Sequence, residues 1–292
     1  MIYSCTLFYN EFDLLRVKIQ EELKGGVDKI VVVESQRTFQ NAPKPLCLTE
    51  RAKDYPEVEI VTVGPEFDAV TYPDATIACF QREAIQRNAG VRGQPIQDND
   101  IIIYADVDEI FTANDISKIV AATKIYGFVH LLQLQFYYKI NLLCNKPWYG
   151  PFAVLGGYLK SGLTLNRLRT QESKRIPTNG KHFSYIMTPE QIAQKIKSFS
   201  HIWFNQPQYT DVDVITRMVL EKKDIFGRGY LNLTPVQIDE TYPESMQTSE
   251  WELYAVEAVT TIPEVSVESV PLNIGFLNEF NEARYEEINK LP

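Results

Sequence analysis

Apolar residues fall along the first 110 positions of the chain in two alternating textures. Short continuous runs of aliphatic residues mark strands covered on both faces, since such strands have no polar side to present to water. Between these runs, apolar positions recur every three or four residues, the stripe of a helix lying on a sheet. Residues 1–9 read as a first strand and 11–24 as an amphipathic helix closed by Gly25-Gly26. Lys29-Ile30-Val31-Val32-Val33 is the second strand, residues 58–63 the third and residues 101–105 the fourth, with a helix over 75–89 before it. This alternation predicts the α/β class, a Rossmann-like and mostly parallel sheet with helices on both faces.

Further along, the pattern predicts a helix over 113–124, a long strand over 128–140, and helices over 189–198 and 211–222. Residues 141–183 are rich in Gly, Pro, Asn and aromatics and read as loops and short strands. Beyond 229 the pattern weakens, with a last helical piece near 278–290. The expected organisation is a main domain over 1–230 and a C-terminal appendage, 231–292, packed on it.

Composition adds limits. With 292 residues, 45% hydrophobic and 12% aromatic, the chain can bury a large core. No stretch approaches the roughly 18 apolar residues of a membrane span. The N-terminus lacks the basic flank of a signal peptide, so a soluble, cytoplasmic protein is expected. Cys5, Cys47, Cys79 and Cys144 form no C-x-x-C pair and lie in apolar contexts, which suits buried free thiols in a reducing compartment. The net charge of −9 is unevenly placed: residues 229–283 hold ten acidic and no basic residues, whereas 1–228 carry +1. The acidity therefore belongs to the C-terminal region and does not exclude an anionic substrate for the main body.

The densest chemistry is Asp106-Val107-Asp108-Glu109, directly after the fourth strand. Carboxylates one residue apart in extended chain point the same way. Such a pair is costly without a cation, and Mg²⁺ or Mn²⁺ shares carboxylate and phosphate oxygens readily. Ligands of parallel sheets also bind beyond the carboxyl ends of strands. An acidic helix start is the plain alternative. Glu34 ends the second strand on the same edge, where it could accept hydrogen bonds from a nucleobase or ribose, or cap a turn. Arg82 and Gln86 share a helix face and Arg87 lies on the next. Arginines there could neutralise a diphosphate or form surface pairs. Of three histidines, His130 reads as packed in a strand, while His182 and His201 lie at element ends, open to metal, substrate or structural roles. Residues 158–182 hold six Lys or Arg against one Glu, a solvated face or an anion groove. Asp211 reads as a helix cap, with Asp213 and Asp224 flanking that helix. No Gly-rich phosphate loop, G-x-S-x-G or H-E-x-x-H is present, which removes P-loop and common hydrolase chemistries.

Seven pieces in order carry a resemblance. They are Phe8-Tyr9-Asn10-Glu11-Phe12-Asp13-Leu14-Leu15; Val31-Val32-Val33-Glu34-Ser35 with Thr38-Phe39 and Pro43-Lys44-Pro45-Leu46; Arg82-Glu83 with Gln86-Arg87-Asn88; Asp106-Val107-Asp108-Glu109-Ile110; Gly180-x-His182-x-Ser184; Ser198-Phe199-Ser200-His201; and Lys223-Asp224-Ile225-Phe226-Gly227-Arg228. Over residues 1–230 the chain resembles glycosyltransferase family 17, the bisecting N-acetylglucosaminyltransferase family. The resemblance implies a GT-A-type mixed sheet, a nucleotide-sugar donor (a UDP-sugar), a divalent metal (Mn²⁺ or Mg²⁺) and inversion at the anomeric carbon. By it, Asp106 and Asp108 are the metal and diphosphate motif, Glu34, Arg82 and Arg87 the nucleotide contacts, and His201 a further metal or diphosphate contact. The general base is expected among Asp224, Glu109 and Asp213, with Asp224 favoured because it lies in a matched piece. Phe111, Lys181, Phe183 and Ile186 depart from the family pattern, at positions expected near the acceptor. The expected acceptor is a glycan hydroxyl. The alternatives are a hydroxymethylated base in viral DNA, nucleotidyl transfer on the same fold, and a non-catalytic sugar-nucleotide or glycan binder.

Overall fold

A computed structural model describes residues 1–258 and 260–262. In chain order the elements are β1 (Ile2–Phe8), α1 (Phe12–Lys24), β2 (Lys29–Ser35), α2 (Cys47–Glu50), β3 (Val58–Val63), α3 (Ala75–Asn88), β4 (Ile101–Tyr104), β5 (Glu109–Ile110) and α4 (Ala113–Tyr126). They continue with β6 (Phe128–Tyr137), β7 (Leu142–Cys144), β8 (Phe152–Leu155), α5 (Gly156–Lys160), α6 (Leu165–Leu168), β9 (Lys174–Ser184), α7 (Pro189–Ile196), α8 (Pro207–Thr210), α9 (Val212–Leu220) and β10 (Leu233–Pro235). The expected helix near 278–290 lies outside the described residues.

One mixed sheet runs β10-β7-β6-β8-β4-β1-β2-β3, with β9 beside β6 and β5 beside β9. Strands β3, β2, β1 and β4 are mutually parallel, and β8 enters antiparallel between β4 and β6. From β1 the chain winds outward to β2 and β3, then returns to the far side of β1 as β4. That reversal makes the carboxyl ends of β1 and β4 a switch point, where loops splay apart and leave a crevice.

Alternate residues of the central strands feed two cores, as a period of two requires. Ile30, Val32, Ile101 and Ile103 pack with Leu15 and Ile19 of α1 and Ile116 and Ile119 of α4. On the other face, Tyr3, Cys5, Val31, Ile102 and Tyr104 meet Leu165 and Leu168 of α6. Ala89, at the end of α3, packs with Val33 and Val63. Helices thus cover both faces, as expected. Their starts follow local chemistry: Asp74 accepts from the amides of Thr76 and Ile77 at 2.8 and 3.2 Å, and Thr112 with Asp115 forms a capping box on α4. Asp211 caps α9 in the same way.

Three expectations change. The sheet expected to be mostly parallel is mixed, with β5, β7, β8 and β10 all paired antiparallel to their neighbours. Residues 174–184, in a region read as loops and short strands, form the single 11-residue strand β9, parallel to β6. Its Pro177 and Gly180 are poor strand residues, and a register shift opposite them, between Leu132 and Leu134, absorbs the irregularity. Gly180 is needed there, since a Cβ would lie 2.6 Å from the Phe111 ring. Cys5, Cys79 and Cys144 are buried free thiols, but Cys47 is only half-buried. Among the described residues no helix is long and apolar enough to cross a membrane.

Between residues 231 and 258 the chain stays on the sheet. β10 pairs with β7, and Val236, Tyr242, Met246 and Trp251 join Leu14 and Val17 of α1 and Phe136 and Phe183 in one core cluster. Met246 is fully buried. Met246→Ala is expected to cost about 2–5 kcal/mol, read from the urea midpoint. A loss below about 0.5 kcal/mol would mean that this segment does not complete the core.

Candidate active site

Beyond the ends of β1 and β4 lies a cavity of about 420 Å³. The end of β1 contributes Phe8, Tyr9 and Glu11 to its wall, and the loop after β2 contributes Thr38 and Phe39. Phe80, Glu83, Gln86 and Arg87 come from α3, Asp106 and Asp108 from the turn after β4, and His182 and Ser184 from β9. Trp148, Arg169, Lys195 and the run Ser198 to His201 close it.

Beneath this wall, Glu109 is fully buried with both carboxylate oxygens engaged. The Asp106 amide and the Trp148 indole donate to it, each at 2.5 Å, and Arg169 Nη2 donates at 2.8 Å. Arg169 Nη2 also lies 2.8 Å from Asp106 Oδ2, while the Tyr104 hydroxyl donates to Asp106 Oδ1 at 2.6 Å. Gly150 leaves room for this guanidinium, since a Cβ there would stand 2.7 Å from Nη2. Arg87 continues the network: Nε donates to the Tyr104 oxygen at 3.0 Å, Nη2 to Glu83 at 2.7 Å, and Nη1 to Asn166. Asp108 has its own cation. Lys195 of α7 donates to its Oδ2 at 2.9 Å and to Glu11 Oε1 at 3.1 Å. His182 Nε2 is 3.7 Å from Asp108 Oδ1, and the His182 ring lies against Trp148 with centroids 4.6 Å apart.

Charge states follow from these partners. Burial alone would push the Asp106 carboxyl up, but Arg169 and Arg87 bring it down to about 2. Asp108 is likewise held below the usual range, because Lys195 and His182 outweigh its burial. Burial would pull the Lys195 ammonium down, yet Asp108 and Glu11 carry it above its usual range. Burial lowers His182, and it takes His201 down to about 4, so both rings are neutral near pH 7. A neutral His201 sits edge-on to Phe80, Phe199 and Trp203.

The model of glycosyltransferase family 17 matches residues 1–231. The chain belongs to this family. It is therefore a glycosyltransferase, built on a mixed sheet with helices on both faces. No curated protein matches the chain. Among solved structures it is similar to the mannosyltransferase PcManGT of Pyrobaculum calidifontis in complex with GDP-Man and Mn²⁺, at 10% identity, covering 68% of this chain and 61% of that one, with a TM-score of 0.39. It is also similar to S. aureus TarS 1–349 in complex with UDP, at 9% identity over 75% and 72% of the two chains, TM-score 0.39. Rv0371C of Mycobacterium tuberculosis H37Rv, complexed with manganese, gives 10% identity over 61% and 88%, TM-score 0.34.

The family-17 expectations meet this geometry unevenly. Asp106, Asp108, Arg87 and His201 all line the cavity. Glu34 does not: its carboxylate accepts from the amides of Leu48 and Thr49 at 2.9 Å each and caps α2. Arg82 also stands behind the wall, donating to the Phe39 carbonyl at 3.0 Å and so holding a loop that lines the cavity. None of the three expected bases is on the wall. Glu109 is buried beneath it, and Asp213 is exposed on α9. Asp224 is clasped by Arg228 at 2.7 and 2.8 Å, and Arg228 in turn reaches Tyr137 at 3.1 Å. Phe111, Lys181, Phe183 and Ile186 belong to the core and not to the cavity. The basic run disperses: Arg169 joins the site, Lys160 pairs with Asp98, Arg175 covers the Tyr149 ring and Lys181 binds Thr241. Sequence reasoning missed Trp148, Arg169 and Lys195. Only Arg169 had a signal, as part of that basic run.

The residues present do not fit the divalent ion that the family resemblance implies. Each carboxylate of the pair already holds a cation, and among the described residues no three His, Cys, Asp or Glu side chains converge to bind a metal. An added ion would sit beside Arg169 and Lys195, where each pair of like unit charges about 4 Å apart costs about 4 kcal/mol at an effective dielectric near 20.

Glu109→Ala leaves the Trp148 indole and the Asp106 amide without their acceptor and Arg169 with one of its two carboxylates, and is expected to cost about 3–5 kcal/mol in a urea titration. A loss below about 1 kcal/mol would show that the buried network is not a support of the fold. Because the folded Asp106 carboxyl titrates near 2, below its unfolded value near 4, its contribution to stability is full above about pH 4 and is lost as pH falls through 2. Melting temperatures of the native protein should therefore drop more steeply between pH 4 and 2 than those of Asp106→Asn. Parallel profiles would contradict the assigned charge state.

Proposed function

We propose that this chain moves a sugar from a nucleoside diphosphate donor, a UDP-sugar, to a hydroxyl of a glycan, with inversion at the anomeric carbon. One observation carries the reading: Arg87, Arg169 and Lys195 converge on a single cavity beyond the strand switch point, each held by a carboxylate. A diphosphate leaving group is the anion that such a cluster suits, since guanidinium and ammonium donors match phosphate oxygens and cost no reorganisation if fixed beforehand. Aromatic walls supply the second half of the argument. Phe80, Phe199, Tyr149 and the Trp148–His182 stack offer apolar faces for a nucleobase or the C–H face of a sugar ring.

In the reaction, the acceptor oxygen forms a bond to the anomeric carbon while the bond from that carbon to the β-phosphate oxygen breaks. The electron pair stays on the nucleoside diphosphate, whose growing charge faces the three cations. A single displacement of this kind inverts the centre. The acceptor proton must pass to a group on the wall, and those able to take it are Glu11, Glu83, Asp106, Asp108, His182 and His201. Asp224, Glu109 and Asp213 stand away from the wall and are assigned structural or surface roles.

A screen of UDP- and GDP-sugars should find one donor that raises the melting temperature and slowly releases free nucleotide. No donor bound under any condition would overturn the reading. Arg87→Met should weaken that donor by about 10- to 100-fold, the effect of losing a charged hydrogen-bonding group, whereas Asp224→Asn should lower stability and leave the donor Kd within about twofold. Equal losses of affinity in both variants would return Asp224 to the site.

A further inference from the structure

The cations of this cavity are placed where a bound metal would otherwise be required. Lys195 bridges two carboxylates, Asp108 at 2.9 Å and Glu11 at 3.1 Å, and these come from the turns after β4 and β1, the two sides of the switch point. A positive charge between two carboxylates at the mouth of parallel strands is the arrangement by which a divalent ion is usually presented to phosphates. Here a side chain supplies it. The same holds two residues away, where Arg169 bonds Asp106 at 2.8 Å and is backed by buried Glu109.

Two further features suit this assignment. The Lys195 stem is carried by α7, whose start is fixed by a capping box of Thr188 and Gln191 with Pro189 in the first turn. Its ammonium also lies 5.7 Å from the Tyr185 ring centroid, and Tyr185 takes a left-handed backbone (φ 60°) at the end of β9. Helix cap, aromatic support and two carboxylates together set the position of one ammonium group. Lys195 still shows 22% of its side chain to the cavity, enough to meet a ligand.

We propose that the donor diphosphate is neutralised by Lys195, together with Arg169 and Arg87, so that donor binding needs no divalent ion. In this chain the D-x-D carboxylates orient protein cations. The inference rests on the nucleoside diphosphate reading above, and it departs from what the family resemblance implies about metal. Lys195 is on this view a diphosphate-binding residue, and Asp108 and Glu11 position it.

The test is calorimetric titration of UDP and of GDP into the full chain, once in EDTA and once in Mn²⁺. Whichever nucleotide binds is expected to do so with a Kd that differs by less than about threefold between the two conditions. Lys195→Met should weaken binding at least tenfold in EDTA, with an unchanged circular dichroism spectrum, and Lys195→Arg should restore most of the loss. A merely structural lysine would not give recovery that follows the charge. Native binding that vanishes in EDTA and returns with Mn²⁺ would overturn the proposal and leave the transferase reading standing. Failure of both nucleotides in both conditions would instead overturn that reading, and the proposal with it.

Discussion

The buried carboxylate of Glu109 is the constraint on which the site depends. An ionised carboxylate with no exposure to water is tolerated only when several donors replace its hydration. Here they come from three segments distant in sequence: the Asp106 amide, the Trp148 indole and the Arg169 guanidinium. Satisfying one charge therefore draws the turn after β4, the loop before β8 and the residue after α6 to one point. The backbone of Glu109 is fixed as well. Its carbonyl accepts from Lys18 of α1, itself buried and paired with Glu22, and the residue pairs with His182 in the short β5–β9 ladder. With main chain and side chain both held, the two neighbouring aspartates have little freedom in where they present their charge.

That rigidity explains why the cavity can carry so many ionisable groups. Each cation on the wall has a carboxylate of its own: Arg87 has Glu83, Arg169 has Asp106, Lys195 has Asp108 and Glu11, Lys44 has Glu34 and Arg37 has Asp68. Buried pairs of this kind add little net stability, because desolvation offsets their attraction. Their use is to keep donors in place at a spot where charge will develop, so that the protein need not reorganise during the reaction. The D-x-D motif then has a meaning that does not depend on which cation it holds.

Much of the fold was legible in the sequence because the parallel half of the sheet is written in local patterns. Val31, Val32 and Val33, or Ile101, Ile102 and Ile103, can be little else than strands covered on both faces. The crevice was legible too, because Asp106 directly follows such a run. What escaped is non-local. Arg169 and Lys195 meet their aspartates across 63 and 87 residues, and no periodicity reports an ion pair of that span. The same blindness shaped the choice of base candidates: Asp224 sits in one of the matched pieces, but the structure pairs it with Arg228, four residues away. Strand β9 was hidden for a different reason. Its Pro177 and Gly180 break the local signal, while pairing with β6 and β5 supplies the order that the segment lacks on its own.

The departures from the family pattern gain a physical sense from the same viewpoint. Phe111, Lys181, Phe183 and Ile186 were expected near the acceptor, yet all four are buried: Phe111 packs with the α1 and α4 side of the core, and the other three lie beside residues 236–251. Lys181 is the informative one. Its ammonium, 4.3 Å from the centroid of the Tyr242 ring, donates to the carbonyl and hydroxyl of Thr241 at 2.7 and 2.9 Å. Asp239 in turn holds both the amide and the hydroxyl of Thr241. Burial brings the Lys181 ammonium down to about 8, with Asp239 opposing the shift, so it remains mostly charged at neutral pH. A lysine placed on β9 thus finds its counter-charge in the acidic segment, and Phe183 and Ile186 give Tyr242, Met246 and Trp251 an apolar surface to pack on. The aromatic side chains that do line the cavity are others, among them Trp148, Tyr149, Phe199 and His201.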